Sequence, residues 1–152
     1  MQYLLGILGI VFGDGFVKKY IEENKTYGEE EKKFGNKIIV TKYHNKGAML
    51  NFMQEKPEWV LRFSFAGLGA AFLYLFQLIT TGGNVLLKTG TALLLGGGLS
   101  NLYDRIKKGY VVDYFIINYG RLKKVIFNLS DMLIFLGGLL LLIGSLFEDK
   151  NK

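Results

Sequence analysis

Cysteine is absent from the 152-residue sequence, and histidine and proline each occur once. The lack of cysteine excludes disulfide bonds, thiol nucleophiles and thiolate metal sites. The single histidine, His44, argues against a histidine-based metal site and against a serine–histidine relay within one chain. With 20 glycines and one proline, the breaks between segments fall at glycines. We therefore expect neither a metal nor another cofactor.

Long polar stretches are also scarce, because half of the residues are hydrophobic and the mean hydropathy is +0.24. This composition is too apolar, and too clustered, for an ordinary soluble domain. The formal net charge is +6, but the basic residues flank apolar segments and do not form one soluble basic face. Anionic lipid headgroups are therefore the expected partners, and nucleic acid is not.

Four apolar segments are each long enough to cross a membrane, which requires about 20 residues. They occupy approximately residues 1–21, 59–79, 85–103 and 125–147. The whole chain, 1–152, is then one membrane domain, and its loops at about 22–58 and 104–124 share one side of the membrane. The three glycines 96–98 of the third segment indicate either close helix contact or backbone brought near a ligand.

Short β-forming stretches interrupt these loops. Residues 38–42 are β-branched and precede a turn at 44–47 and an apolar strip at 48–53, which together predict a hairpin or small sheet. Residues 110–117 are aromatic and β-branched and predict a short extended or interfacial piece. The expected fold is an all-α membrane protein with four transmembrane helices and a small sheet or hairpin on the membrane surface.

Two aspartates lie close to the ends of apolar segments. Asp113 stands in the sequence G-Y-V-V-D-Y-F, and Asp131 is the only charged residue between positions 125 and 147. A lone carboxylate in such a run is costly unless it faces a protein interior or a water-filled cavity. Asn128 lies three residues before Asp131 and faces the same way on a helix. We therefore expect the two aspartates to meet and to act as the pair of an intramembrane aspartyl protease.

Other polar residues have spacings that suit a supporting role. Asp14 and Lys18 are four residues apart, which predicts a pair at the membrane edge, either as a plain interfacial ion pair or as support for the site. Asn101, Asp104 and Arg105 share a face where the third segment ends. That face fits the binding of substrate backbone or of a neighbouring carboxylate, and it also fits a simple helix-end charge network.

Five blocks, in this order along the chain, resemble the lipoprotein signal peptidase family, also called signal peptidase II. The blocks are Asp14 with Lys18, Asn45-Lys46-Gly47-Ala48, Gly96 to Arg105, Val111-Val112-Asp113-Tyr114, and Phe127-Asn128-Leu129-Ser130-Asp131. The resemblance extends over essentially the whole chain, and the last three blocks are specific in combination. The chain departs from the family pattern at Met49, at Leu50 and at Ser130, which replaces a common alanine.

The resemblance implies a multi-pass aspartyl endopeptidase of the bacterial cell membrane, with its active site near the extracytoplasmic face. Such enzymes remove the signal peptide of a prolipoprotein, cutting just before a cysteine that already bears diacylglycerol. Asp113 and Asp131 then correspond to the catalytic pair. The supporting or substrate-binding positions are Asp14, Lys18, Asn45, Gly47, Asn101, Asp104, Arg105 and Asn128. The expected partners are this substrate and membrane lipids, and the expected oligomeric state is a monomer.

Two other functions use the same residue types. A small transporter or channel also places Asp, Asn and Lys inside the membrane. A divergent, non-catalytic paralogue would bind a diacylglyceryl peptide without cutting it. Orientation is a separate question, because nearly all Lys and Arg lie in the two large loops or beside them, which predicts cytoplasmic loops. The resemblance instead places these loops outside, and we adopt that placement because the first loop is long and rich in Glu as well as Lys.

Overall fold

The computed structural model describes residues 1–48 and 52–148. Within these residues the fold has four α-helices, four short β-strands and one 3-10 turn. The helices are α1 (Gln2–Asn24), α2 (Pro57–Thr80), α3 (Val85–Lys108) and α4 (Leu129–Glu148). The strands are β1 (Glu31–Lys33), β2 (Ile38–Asn45), β3 (Val111–Ile117) and β4 (Ile126–Phe127), and the 3-10 turn is Leu122–Lys124. Helices and a small sheet were expected, and both are present.

Helix α3 has a well-defined beginning and end. Asn84 precedes it, and the Asn84 Oδ1 accepts a hydrogen bond of 2.7 Å from the backbone N–H of Leu86. The helix ends at Gly109, whose φ of +80° is the left-handed conformation that glycine adopts most readily. Basic residues in the last turn, Lys107 among them, interact favourably with the negative end of the helix dipole. The helix therefore continues past the predicted span, which ends near residue 103, because the charged last turn extends it to Lys108.

The glycine triplet explains how α3 packs against the other three helices. A Cβ atom added to Gly96 would lie 2.8 Å from Ile10 of α1, and one added to Gly98 would lie 2.6 Å from Leu68 of α2. At Gly97 it would lie 2.6 Å from the backbone oxygen of Ser130 in α4. Successive residues of a helix point about 100° apart, so three glycines in a row open three faces. Of the two predicted roles, close helix contact is the one observed.

The sheet is antiparallel, in the order β1-β2-β3-β4. Of the predicted hairpin or small sheet, the small sheet is present: β2 runs to Asn45 and pairs with β1 on one side and β3 on the other. Its register with β3 places Tyr43 opposite Asp113, after an irregularity that begins at Val40. Residues 49–51 of the apolar strip 48–53 lie outside the described residues. They include Met49 and Leu50, which the sequence marks as departures from the family pattern.

Two helices are long and apolar enough to cross a membrane, by length and composition, among the residues that the structure describes. They are Pro57–Thr80 and Leu129–Phe147. The other two helices include more charged residues, such as Asp14 and Lys18 in α1. Two of the four predicted spans thus meet this criterion, and α1 and α3 remain predicted spans.

Candidate active site

Strand β3 places Asp113 where two asparagine amides contact its carboxylate. The Nδ2 of Asn45, at the end of β2, donates to the Asp113 Oδ2 at 3.0 Å. The Nδ2 of Asn128, just before α4, donates to the Asp113 Oδ1 at 2.7 Å. The Asp113 side chain is buried, and both of its oxygens are therefore held in place.

Asp131 lies in the first turn of α4 and forms a reciprocal cap with Asn128. The backbone N–H of Asn128 donates to the Asp131 Oδ2 at 3.0 Å, and the backbone N–H of Asp131 donates to the Asn128 Oδ1 at 2.9 Å. This is the capping-box pattern, in which residues three apart satisfy each other's free N–H groups. Asn101 of α3 completes the set, because its Nδ2 donates to the Asp131 Oδ1 at 3.0 Å.

The structure thus brings the two carboxylates to one shared residue, since Asn128 is hydrogen-bonded to both. Burial raises the pKa of Asp113 to about 7, and repulsion by the Asp131 carboxylate adds to this effect. The two amide donors, Asn45 and Asn128, oppose it because they favour the ionised form. Asp113 is therefore poised to hold or lose a proton close to neutral pH.

The predicted pair of Asp14 and Lys18 is confirmed, with 2.7 Å between the Lys18 Nζ and the Asp14 Oδ2. Both side chains are buried inside the bundle, at 0% and 1% exposed, and their position at the membrane edge stays a prediction. The Lys18 Nζ also donates to the Asn101 Oδ1 at 2.7 Å. Since Asn101 in turn donates to Asp131, the ion pair is connected to the carboxylate site through one amide.

Asp104 and Arg105 contact the backbone around the site. The Asp104 Oδ2 accepts from the backbone N–H of Val112 at 3.2 Å, and its Oδ1 lies 2.8 Å from the Lys108 Nζ. The Arg105 Nη2 donates to the backbone oxygen of Gly47 at 2.8 Å. The Nε of Arg105 is buried and has no hydrogen-bond partner among the described residues. This helix face is thus a charge network, and its Asn101 also holds the neighbouring carboxylate of Asp131, while the binding of substrate backbone stays a prediction.

An apolar groove of about 490 Å³ opens between α2, α3 and α4 beside the site. Asp131, Asn101, Arg105 and Ser64 form its polar part. Apolar and small residues form much of the remainder, including Phe63, Gly67, Leu68, Leu94, Ile134 and Phe135. The groove can therefore accept a molecule with a long apolar portion and a polar portion next to the carboxylates. Among the described residues, no group of three or more His, Asp or Glu side chains is placed to hold a metal ion.

Sequence reasoning missed two hydroxyl groups at the site, those of Tyr114 and Ser130. Each is adjacent in sequence to one aspartate of the pair, and each donates a hydrogen bond to Asp14. For Ser130, the available signal in the sequence was that a serine replaces the alanine common at this position in the family pattern. The signal for Tyr114 was weaker, because a tyrosine in an aromatic strand is consistent with simple packing.

A helical bundle that holds an aspartate pair, with Asp113 buried and Asp131 half-buried, beside an apolar groove defines the class of this protein: a helical protein with a paired-carboxylate site. Comparison with known proteins identifies the family within this class. The family model for "Signal peptidase (SPase) II" matches residues 6–147. The chain belongs to the signal peptidase II family.

Individual proteins similar to this chain include two lipoprotein signal peptidases and a bacterial membrane enzyme of known structure. The lipoprotein signal peptidase of Acinetobacter baumannii is 40% identical over 115 residues, which are 74% of this chain but only 65% of that protein. The lipoprotein signal peptidase of Cupriavidus taiwanensis is 34% identical over 149 residues, which are 96% of this chain and 83% of that protein. A solved structure described as a bacterial membrane enzyme has the same fold, with a TM-score of 0.84 and 24% identity over 99% of this chain and 91% of that one.

Proposed function

We propose that this protein is an intramembrane aspartyl endopeptidase that removes the signal peptide from diacylglyceryl-modified prolipoproteins, cutting before the lipidated cysteine. The observation that carries the proposal is the asparagine-linked pair, in which Asn128 is hydrogen-bonded to both Asp113 and Asp131. The apolar groove beside this pair suits a lipid-bearing peptide. The substrate class is taken from the names of the relatives.

The membrane placement follows from which side chains of α1 face outward. Phe12 and Phe16 are 72% and 74% exposed, whereas Asp14 and Lys18 of the same helix are buried. Over residues 2–18 the helix thus hides both of its charged side chains and exposes aromatic ones, which suits a lipid environment. Its 23 residues span about 34 Å at 1.5 Å per residue, enough for a hydrocarbon core of about 30 Å. We therefore propose four spans in the bacterial cell membrane, with the site near the extracytoplasmic face.

The environments of the two carboxylates differ, and the difference supports an assignment of roles. Asp131 accepts from a backbone N–H at the start of α4, where the helix dipole favours a negative charge. It is also connected to the Lys18 ammonium through Asn101. Among the described residues, Asp113 accepts only from the neutral side-chain amides of Asn45 and Asn128. Asp131 is therefore the ionised partner, and Asp113 holds the proton, although the titration belongs to the pair as a unit.

Hydrolysis then proceeds by transfer of protons between water, the peptide and the pair. Asp131 takes a proton from water while the water oxygen bonds to the scissile carbonyl carbon, and the proton of Asp113 moves to the carbonyl oxygen. When the carbon–nitrogen bond breaks, Asp131 returns its proton to the leaving nitrogen and Asp113 regains one from the new carboxyl group. The buried donor at Arg105 Nε supplies a partner for a substrate carbonyl.

The test uses purified protein and two substrates, a diacylglyceryl-modified prolipoprotein and its unmodified precursor. We expect release of the leader peptide from the modified substrate only. Asp113→Asn and Asp131→Asn should each abolish release while the protein still accumulates in the membrane, and Glu30→Gln, at an exposed carboxylate, should leave it unchanged. Cleavage that persists in either Asn variant would remove that aspartate from the mechanism. Binding of the lipopeptide without cleavage by the wild type would identify a non-catalytic paralogue.

A further inference from the structure

Two hydroxyl groups tie the strand and the helix that bear the carboxylate pair to one buried acid. We propose that Tyr114 and Ser130 are positioning residues, which set the spacing of Asp113 and Asp131 by bonding to Asp14. This inference rests on the proposed function, since it concerns the geometry that hydrolysis requires.

The first observation is that Asp14 accepts hydrogen bonds from elements on both sides of the site. The Tyr114 OH of β3 donates to the Asp14 Oδ1 at 3.2 Å. The Ser130 Oγ of α4 donates to the Asp14 Oδ2 at 2.5 Å, and the Ser100 Oγ of α3 donates to the same oxygen at 2.6 Å. Asp14 and Ser130 are fully buried, so water does not compete for these bonds. A buried carboxylate with donors from three elements fixes those elements relative to one another.

The second observation is the place of these hydroxyls in the chain. Tyr114 directly follows Asp113, and Ser130 directly precedes Asp131. Each contact with Asp14 therefore restrains the backbone that carries one of the catalytic carboxylates. The two aspartates are therefore connected in two ways. Both are hydrogen-bonded to Asn128, and their sequence neighbours Tyr114 and Ser130 are both hydrogen-bonded to Asp14.

Tyr114 adds a direct connection between strand and helix. The backbone N–H of Leu129, the first residue of α4, donates to the Tyr114 OH at 2.9 Å. The first N–H groups of a helix have no partner within the helix, so this contact satisfies one of them. The hydroxyl thus accepts from α4 and donates to Asp14 of α1, and it links three elements through one oxygen.

Removing either hydroxyl should loosen the carboxylate spacing without altering the groove that receives the lipid. Tyr114→Phe and Ser130→Ala are each expected to lower kcat by about fivefold, the equivalent of one ordinary hydrogen bond. The double variant should lose about 100-fold, because a misplacement near 1 Å at a catalytic centre has effects of that size. KM for the lipidated substrate should stay unchanged, since neither residue lines the groove.

The pH profile distinguishes positioning from a general loss of stability. A wider spacing weakens the repulsion that raises the pKa of Asp113, so the alkaline limb of kcat should move to lower pH in both variants. Ser145→Ala removes an exposed hydroxyl of α4, and Tyr119→Phe changes a tyrosine that is 79% exposed. These two matched control variants should retain the wild-type kcat, and the alkaline limb of their kcat–pH profile should lie at the same pH as in the wild type.

The outcomes separate this inference from the proposed function. If the wild type does not cleave lipidated substrate, the proposed function fails. If the wild type cleaves and both single variants keep its kcat and pH limb, the positioning role is overturned and the protease assignment stands. Should the double variant not accumulate in the membrane, the two single variants, each lacking one oxygen atom, decide the question.

Discussion

At the scale of single residues, Asn128 is the side chain on which the arrangement depends most directly. Its amide nitrogen contacts Asp113, while its amide oxygen and backbone N–H both contact Asp131. An asparagine can do this because its side chain is donor and acceptor at once. An aspartate at this position would have no donor for Asp113 and would add a third charge to the site.

The proton on Asp113 leads to a prediction about pH. Its pKa is raised from 3.8 to about 7 in the folded protein, and hydrolysis by the proposed mechanism needs the protonated form. The rate should therefore fall as pH rises through about 7, by about tenfold per unit above it. Measuring kcat/KM on lipidated substrate between pH 5 and about 9 checks this. A rate that continues to rise above pH 8, about one unit past that pKa, would contradict the role of Asp113 as the acid.

The same shift has a consequence for stability, which serves as an independent check. A raised folded pKa means that the stability contributed by protonated Asp113 is present at low pH and is lost as pH rises through about 7. Asp113→Asn, which is neutral at every pH, removes this dependence. Its melting temperature relative to the wild type should therefore rise between pH 5 and 8, a range that includes the raised pKa.

The sequence was sufficient to predict the charged and amide residues of the site but not its hydroxyls. Asp113 and Asp131 were predictable because a carboxylate near apolar segments is costly unless it faces a protein interior or a water-filled cavity. Tyr114 and Ser130 were not predictable, because the role of a hydroxyl group depends on which acid it is hydrogen-bonded to in the folded protein. Here that acid is Asp14, about 100 residues away in the chain, and no local spacing shows the contact.

At the scale of secondary-structure elements, the contact of α3 with α4 positions Asp131. The backbone oxygen of Ser130 lies 2.6 Å from the place where a Cβ of Gly97 would be. The helices can approach this closely only because residue 97 has no side chain. The position of Asp131 in α4 therefore depends on Gly97 of the neighbouring helix α3.

Gly97→Ala should displace the first turn of α4, because the new methyl group meets backbone and not the end of a flexible side chain. We expect a loss of about 1–3 kcal/mol in the free energy of unfolding, as for other overpacked sites. The same displacement should lower kcat by at least about tenfold. Thermal unfolding in detergent and cleavage of lipidated substrate measure the two effects.

Gly138→Ala is the matched control for this change, since a Cβ at that position of α4 has no neighbour within 4 Å. It should leave activity unchanged and should stabilise the helix by up to about 1 kcal/mol. Wild-type activity in Gly97→Ala would show that this contact does not position Asp131.

The elements themselves were predictable to different degrees. The apolar helices and the strand that contains Asp113 have clear patterns, and both are present. The pairing of β2 with β3 was not predictable, because the two strands lie about 70 residues apart in the chain and sequence patterns indicate only nearby partners. Strand β1 reads Glu-Lys-Lys, which has no strand pattern, and it forms an edge where charged residues are tolerated.

At the scale of the whole molecule, polarity is inverted relative to a soluble protein. Large apolar side chains such as Phe12, Phe72 and Leu142 are exposed, whereas Asp14 and Lys18 are buried. Soluble proteins seldom expose such broad apolar surface, so lipid is the solvent that suits this exterior. The groove of the site lies among three of the helices and is lined mainly by apolar and small residues.

The orientation of the molecule is where two arguments conflict, and a labelling experiment separates them. The basic residues near the ends of α1 and α3 favour a cytoplasmic position for the sheet. A site that acts on exported prolipoproteins requires the opposite, and the glutamates of the first loop reduce the net positive charge there. Because the chain has no cysteine, a single introduced cysteine is the only thiol that can react.

Lys107→Cys places that thiol at the sheet end of α3, and Thr81→Cys places it at the other end, between α2 and α3; both native side chains are exposed. In intact spheroplasts, a membrane-impermeant maleimide should label position 107 and leave position 81 unlabelled until the cells are permeabilised. Both variants should still cleave lipidated substrate, since neither residue contacts the carboxylate pair. The reverse pattern of labelling would place Asp113 and Asp131 at the cytoplasmic face, where an exported lipid-modified precursor does not present its cleavage site, and the proposed function would then fail on topology alone.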